Sequence, residues 1–452
     1  MLFSFFRRLP LLGLLLATTF AFAASGGDDE AESSLNRGRG PRWLNKLITE
    51  SPVLRQHFVG VCITDVATGE KLYEFNADRY FTPASNMKLF SFYAGLHMLG
   101  DSLPSLRYVV RHDSLLFWGT GDPTLLHGDV PSRRAFDFLK NRPEKLFYLP
   151  IPCVDAFGPG WGWEDYNYYY SPERGPFPIY GHTVRFHGGP GKRPRVGPRF
   201  FNPMVKAALP GATDPEHVRR ALTENQFTYF PATKNWVDET PFRTSPVLLQ
   251  QLLQDTLRRA VTVLSWRMPR PQDSVRTLAG LPVDSLYRRM LQVSDNFLAE
   301  QLLLMCSSKL GPDSLDTGRV IRLVRRQYLA DLPDAPHWVD GSGLSRFNLV
   351  TPRTMVVLLL KLHQEVPEPR LLSVLAAGGG HGSLRRVYHD KTGTWFWGKT
   401  GTLSNNHNVC GYLRTRKGRL LAVSFMNNNH VVTTSEVRSE MERILGQVRE
   451  RL

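Results

Sequence analysis

Cysteine is scarce in this chain. Cys62, Cys153, Cys306 and Cys410 are the only four in 452 residues, they lie far apart, and no Cys-x-x-C pair occurs. That spacing excludes a dithiol redox motif and a thiolate metal site. The 13 histidines show no metal-ligand spacing either. Beyond the first two dozen residues no apolar run approaches the length of a membrane span. No repeat of fixed period is present, which argues against solenoid and propeller architectures. Basic residues outnumber acidic ones, 56 to 41, but they are scattered rather than striped, unlike a nucleic-acid footprint. Cys62 and Cys410 stand in apolar, strand-like runs. Although an exported chain can form disulfides, these two read as buried free thiols.

What is present points to a large globular protein. Hydrophobic residues make up 42% and charged residues 21%, enough apolar surface for a sizeable core, and the length suggests two or three domains. Residues 1–23 read as a signal peptide. Arg7 and Arg8 precede the apolar run Leu9 to Phe20, and Ala21-Phe22-Ala23 is a small-x-small cleavage site. An uncleaved anchor is the alternative. Cleavage would remove two arginines and no acid, taking the formal net charge from +15 to +13 and favouring anionic polymers of the cell envelope. The expected location is periplasmic or otherwise exported, and no nucleic-acid partner is expected.

Residues 24–41 are polar and read as a flexible N-terminus. A helix from Arg42 to Leu54, a strand from His57 to Val66 and a second from Lys71 to Asn76 lead into Phe81-Thr-Pro-Ala-Ser-Asn-Met-Lys-Leu-Phe90. From 107 to 264 the texture shifts to short strand-like runs rich in Pro, Gly and aromatics, and this block reads as an insertion. Helices are expected over Leu248 to Leu264, Ser285 to Leu310, Gly318 to Leu329 and Thr351 to Gln364. Asn408 to Thr415 and Arg419 to Met426 form a hairpin, and Thr433 to Leu452 a closing helix.

The chemistry gathers at three short motifs. Ser85 and Lys88 form a Ser-x-x-Lys pair. On a helix starting near Ser85, residues three apart share a face, so the Lys88 amine would sit beside the Ser85 hydroxyl and could take its proton. Ser294-Asp-Asn296 lies within an expected helix. Lys399-Thr-Gly401-Thr402 follows the strand-like Trp395 to Trp397. Each motif alone also has a plain reading: a helix N-cap serine, a polar turn, a hairpin approach. Decoys exist as well. Ser34-Leu-Asn36 lies in the N-terminal segment, Ser404-Asn-Asn406 follows both Lys-Thr-Gly copies, and Lys391-Thr-Gly393 reads as a turn. Order sets aside Ser34 and Ser404, and the strand-like approach selects Lys399 over Lys391, which leaves Ser85, Ser294 and Lys399 in the order Ser-x-x-Lys, Ser-x-Asn, Lys-Thr-Gly. That order is the signature of serine acyl-transfer enzymes that include penicillin-binding proteins and class A β-lactamases.

With these motifs in place, the chain resembles the D-alanyl-D-alanine carboxypeptidase/endopeptidases of the penicillin-binding protein 4 type. Further segments carry the resemblance: Gly119-Thr-Gly-Asp-Pro-Thr-Leu125, the aromatic stretch Asp155 to Asp165, Ser294-Asp-Asn-Phe-Leu-Ala-Glu300, Asp340-Gly-Ser-Gly-Leu-Ser-Arg346 with Asn348, and Gly411-Tyr412. Residues 188–246 have little that matches. Ser171-Pro-Glu173 departs from the family's A-P-x, and Gly380-His-Gly-Ser-Leu384 from its D-G-T-L. Ser294 follows Ser85 by 209 residues, and a compact β-lactamase has no room for that interval.

The resemblance implies an α+β, penicillin-binding/β-lactamase-like transpeptidase fold. An antiparallel sheet flanked by helices would be built from 42–106 and 265–452, with 107–264 as a β-rich insertion. It implies a serine D,D-peptidase acting on peptidoglycan stem peptides, and inhibition by β-lactams, with no metal or organic cofactor. Ser85 would be the nucleophile and Lys88 its base. Ser294 would relay the proton, Asn296 would hold the peptide and orient Lys88, and Lys399 would meet the terminal carboxylate with a hydroxyl from Thr400 or Thr402. The N–H groups of Ser85 and Thr402 would form the oxyanion hole. Gly401 belongs to the substrate-binding strand, and Asp165 would hold a cationic group of the stem. Asp340 to Arg346 reads as a structural Gly-rich turn near the cleft. A β-lactamase or esterase with the same machinery, or a non-catalytic peptidoglycan-binding protein, are the alternatives. The oligomeric state is left open, a dimer included.

Overall fold

The computed structural model describes residues 38–311 and 314–452. The expected signal peptide, the N-terminal segment through Arg37 and Ser34 lie outside these residues. The sequence reading runs the flexible segment on to Pro41, but Arg39 already pairs its backbone with Glu74, N–H to carbonyl in both directions.

A six-stranded sheet carries the fold. Its spatial order is Ala376–Ala377, Phe396–Leu403, Asn406–Arg414, Leu420–Asn428, Phe58–Asp65 and Lys71–Phe75, and every neighbouring pair is antiparallel. Successive side chains along a strand point to opposite faces, and the two faces of this sheet go to two different cores. Val59, Val61, Ile63, Val409, Leu421, Val423 and Phe425 pack with Leu44, Val437, Met441 and Leu445 of the helices Arg42–Thr49 and Thr434–Arg451. Cys62, Cys410, Tyr412, Ala422 and Met426 join the core built by the helices Lys88–Met98, Asn296–Ser308 and Pro352–Glu365. Because both faces are covered, the central strands are buried nearly end to end.

The helix Lys88–Met98 is covered on every side, with Lys88 through Gly95 all buried. A helix that is apolar all round belongs in a core. Gly95 permits its closest contact, since a Cβ there would lie 2.7 Å from Tyr287 Oη and 3.1 Å from Leu302.

A second, mixed sheet orders Val261–Val263, Lys145–Tyr148, Ser114–Gly119, Ser102–Arg111 and Arg276–Pro282. With two three-stranded sheets it surrounds a separate apolar core that includes Phe117, Phe177, Phe186, Phe201 and Leu252. Two expected helices are corrected. The helix at Leu248 spans Pro246–Leu257 only. Arg258 turns left-handed (φ 54°) and closes it, and the β-branched Val261–Val263 then pairs in parallel with Lys145–Tyr148. The expected helix Ser285 to Leu310 is two helices, Val283–Gln292 and Asn296–Ser308. Ser294 takes φ 67°, and the Asp295 side chain caps the second helix by accepting from Leu298 N–H. The antiparallel sheet flanked by helices matches the expected fold class, as does the burial of the free thiols Cys62 and Cys410. Among the described residues no helix is long and apolar enough to cross a membrane.

The wall between the helices Lys88–Met98 and Asn296–Ser308 should be sensitive to volume. Leu302 is fully buried in it. Leu302→Ala is expected to lower stability by about 2–5 kcal/mol, read as a lower urea midpoint at unchanged slope.

Candidate active site

Ser85 sits on a single tight turn, Ala84–Met87, of 3₁₀ geometry; the α-helix starts only at Lys88. A 3₁₀ turn keeps residues three apart on one face, so the expected adjacency of Ser85 and Lys88 holds, at 2.8 Å between Oγ and Nζ. Ala84 is left-handed, φ 50°, a conformation that costs a non-glycine residue energy and that its surroundings must enforce. Two glycines press on the backbone of this turn. A Cβ on Gly343 would lie 1.9 Å from Ala84 O, and one on Gly401 2.3 Å from Pro83 O. The turn Asp340 to Arg346 and the strand Phe396–Leu403 thus clamp the serine by backbone contact.

The Lys88 amine is the centre of the arrangement. It is fully buried, and Nζ donates to Ser85 Oγ (2.8 Å), Asn296 Oδ1 (2.7 Å) and the Ser342 carbonyl (2.7 Å). Burial lowers its pKa to about 8, while the nearby carboxylates of Asp340, Asp295 and Glu300 pull the other way. Lys399 is also fully buried, and its pKa is lowered well below the ordinary value, first by burial and then by the charge of Lys88. Lys399 Nζ donates to Ser294 Oγ at 2.8 Å. The left-handed Ser294 between its two helices aims that hydroxyl at Lys399.

The expected residues converge, with distinctions. Ser85, Ser294, Asn296, Thr402 and Asp165 line one cleft of about 830 Å³, with Gly343 and Arg346 also on its wall. The expectation left Thr400 and Thr402 open as the hydroxyl for the substrate. Thr402 faces the cleft, whereas the Thr400 hydroxyl donates to Ser383 Oγ, in the segment that departs from D-G-T-L. Asp165 is held by Tyr170, whose hydroxyl donates to Oδ1 at 2.9 Å. Of the decoys, Lys391 is at the exposed tip of the small hairpin His389–Asp390/Gly393–Thr394 and outside the cleft lining, whereas Ser404, just past the end of the Lys399 strand, lies on the cleft wall, where its carbonyl accepts from Arg346. No metal-binding group of His, Cys, Asp or Glu occurs among the described residues.

Sequence reasoning missed the supports. Asn296 Nδ2 donates to the Tyr170 carbonyl, which leaves Oδ1 aimed at Lys88. Glu300 is buried, accepts from Ser342 N–H (2.8 Å) and pairs with Arg174 at 3.1 Å. Burial raises its pKa, and Arg174 and the Ser342 amide oppose that rise. This pair holds the amide N–H of Ser342, the residue whose own carbonyl, one peptide further on, receives Lys88. Asp340 accepts from Gly343 N, Ser345 N, Asn348 Nδ2 and Trp161 Nε1, so the Gly-rich turn is built around one carboxylate. An acid inside the apolar helix Asn296–Ser308 is a legible signal for Glu300. Arg174 carries none, because its partner is 126 residues away.

Comparison with known proteins follows the same lines. The sequence pattern of the D-Ala-D-Ala carboxypeptidase 3 (S13) family matches residues 42–185 and 232–448. A D-alanyl-D-alanine carboxypeptidase of Actinomadura sp. is 38% identical over 99 residues, 20% of this chain and 18% of that protein. The first curated relatives are matched over only 18%, 38% and 44% of their own lengths. Penicillin-binding protein 4 of Haemophilus influenzae superposes with a TM-score of 0.69 at 20% identity, over 90% of this chain and 98% of that one. The same protein complexed with a β-lactam superposes at 0.64 with 19% identity, over the same shares.

Two measurements check this geometry. Side-chain NMR of labelled lysines should show one amine titrating near pH 8 that vanishes in Lys88→Met. Gly343→Ala must move Ala84 or the Asp340 turn, and is expected to cut the rate of Ser85 modification by an active-site acylating agent at least about 100-fold.

Proposed function

This chain belongs to the D-Ala-D-Ala carboxypeptidase 3 (S13) family, and from that premise we propose that it is an exported serine D,D-peptidase that removes the terminal D-alanine of peptidoglycan stem peptides through an acyl-enzyme. The observation that carries the proposal is the bonding of Lys88. A neutral amine has two N–H bonds and one lone pair. With the N–H bonds directed to Asn296 Oδ1 and Ser342 O, the lone pair is left for Ser85 Oγ at 2.8 Å. A base so placed activates a serine hydroxyl. Lowering its pKa from 10.5 to about 8 raises the neutral fraction at pH 7 to about a tenth, some 300-fold above an ordinary lysine.

In this reading Ser85 Oγ attacks the carbonyl of the penultimate D-Ala as its proton passes to Lys88. The developing oxyanion is met by the N–H groups of Ser85 and Thr402. Ser294, bonded to Lys399, delivers a proton to the leaving amine, and water then releases the acyl group. Asn296 holds the peptide amide, Lys399 and Thr402 meet the terminal carboxylate, and Asp165 meets a cationic group further along the stem. A β-lactam would acylate Ser85 in place of the peptide, as the complex of the Haemophilus relative suggests. Cleavage of 4,3 cross-links uses the same chemistry and is the second activity proposed. The same reading takes 107–264 as an insertion into a peptidase domain made of 42–106 and 265–452, supported by the separate core around Phe117, Phe186 and Leu252.

Mass spectrometry of purified muropeptides after incubation tests the proposal. Loss of one alanine from a pentapeptide is the expected result, and conversion of cross-linked dimer to monomer would report the endopeptidase activity. Ser85→Ala should reduce release about 10⁴-fold or more; an undiminished rate would sink the mechanism. Because Lys88 must be neutral to act, kcat/KM should rise with pH through about 8 and fall below it, and Lys88→Arg should erase that limb.

A further inference from the structure

The strand Phe396–Leu403 and the strand Asn406–Arg414 pair antiparallel, and Thr402 stands directly across from His407. The Thr402 hydroxyl and His407 Nδ1 are 2.8 Å apart. Thr402 faces the cleft that holds Ser85. His407 is 1% exposed. Its backbone is pinned, since its carbonyl accepts from Asn427 Nδ2. Burial first, and then the nearby Arg438, His430 and Lys399, lower its pKa to about 3, so the ring is neutral and carries one N–H.

A neutral imidazole and a hydroxyl can share this bond in two ways. If Nδ1 is bare, the Thr402 proton is spent on it, and the hydroxyl can offer the cleft only lone pairs, which repel a carboxylate. If Nδ1 carries the proton, it donates to Thr402 Oγ1, and the Thr402 O–H is free to donate outward. Only the second arrangement serves an anionic ligand. We propose that His407 is a positioning residue: in the Nδ1–H tautomer it fixes the Thr402 hydroxyl as a donor toward the carboxylate of the substrate's terminal D-alanine. The inference rests on the D,D-peptidase reading. It assigns the role to Thr402 rather than Thr400, whose own proton is given to Ser383.

The test uses the full chain, a D-Ala-D-Ala peptide, and an acyl-D-alanine phenyl ester whose leaving group has no carboxylate. His407→Leu removes the donor, whereas His407→Asn can keep an amide N–H near the position of Nδ1. The expected result is a 10- to 100-fold fall in kcat/KM on the peptide for His407→Leu, mainly through KM, as for the loss of one charge-assisted hydrogen bond. His407→Asn should stay within about threefold of wild type, and the phenyl ester should be turned over equally by all three. Nitrogen NMR of the labelled wild-type protein should report a protonated Nδ1 and a bare Nε2, which needs no variant to fold. Equal losses of His407→Leu on both substrates, unchanged KM on the peptide, or a bare Nδ1 in the wild type would each overturn the proposal. Failure of the D,D-peptidase reading is distinguishable, because the wild type would then release no D-alanine at all.

Discussion

Burying one lysine amine constrains everything around it. A charged amine in an apolar interior is costly unless acceptors surround it or it gives up its proton. Here both happen. Lys88 has three oxygen partners from three parts of the chain, and its pKa falls to about 8. Each partner is itself held. Asn296 is tied to the Tyr170 carbonyl. The backbone of Ser342 is held through its N–H by Glu300, which pairs with Arg174. Ser85 sits on a strained turn between Gly343 and Gly401. Such buried polar networks carry a large penalty if one member is lost, because the remaining groups stay desolvated and unpaired.

The sheet supplies the second constraint. Alternation along the strand Phe396–Leu403 puts Lys399 and Gly401 on the helix-facing side, across from Cys410 and Asn408, and Thr400 and Thr402 on the other. One short motif therefore serves two surfaces. Lys399 reaches Ser294 in the interior. The two threonine hydroxyls depend on what lies beside them on their own face: Ser383 for Thr400 and His407 for Thr402. Glycine at 401 lets the strand come within contact of the Ser85 turn, which a side chain would prevent. The geometry follows from a period of two and one missing Cβ.

The decoy motifs illustrate how a tertiary setting separates identical strings. Lys391-Thr-Gly393 and Lys399-Thr-Gly401 are the same three residues, one at a hairpin tip and the other inside a sheet strand. Lys391 is exposed at a two-residue hairpin tip, and Lys399 is fully buried between Ser294 and Lys88. The difference in their surroundings, and so in their amine chemistry, comes from elements more than a hundred residues away.

The sequence by itself determined the identities and order of Ser85, Lys88, Ser294, Asn296 and Lys399, the antiparallel hairpin that closes the chain and most of the helices, because these depend on local periodicity and on short strings with few alternatives. It misjudged the helix through Ser294 and the one running to Leu264. Apolar periodicity carries across a cap or a left-handed residue without a mark, and the left-handed Ser294 and Arg258 interrupted those helices by backbone conformation. Only the tertiary structure decided which threonine faces the cleft, that Arg174 and Glu300 hold the Ser342 N–H, and that His407 stands behind Thr402. Those contacts join strands and loops that are distant in sequence or are set by register, and their energy lies in burial and hydrogen-bond geometry, which no single segment encodes.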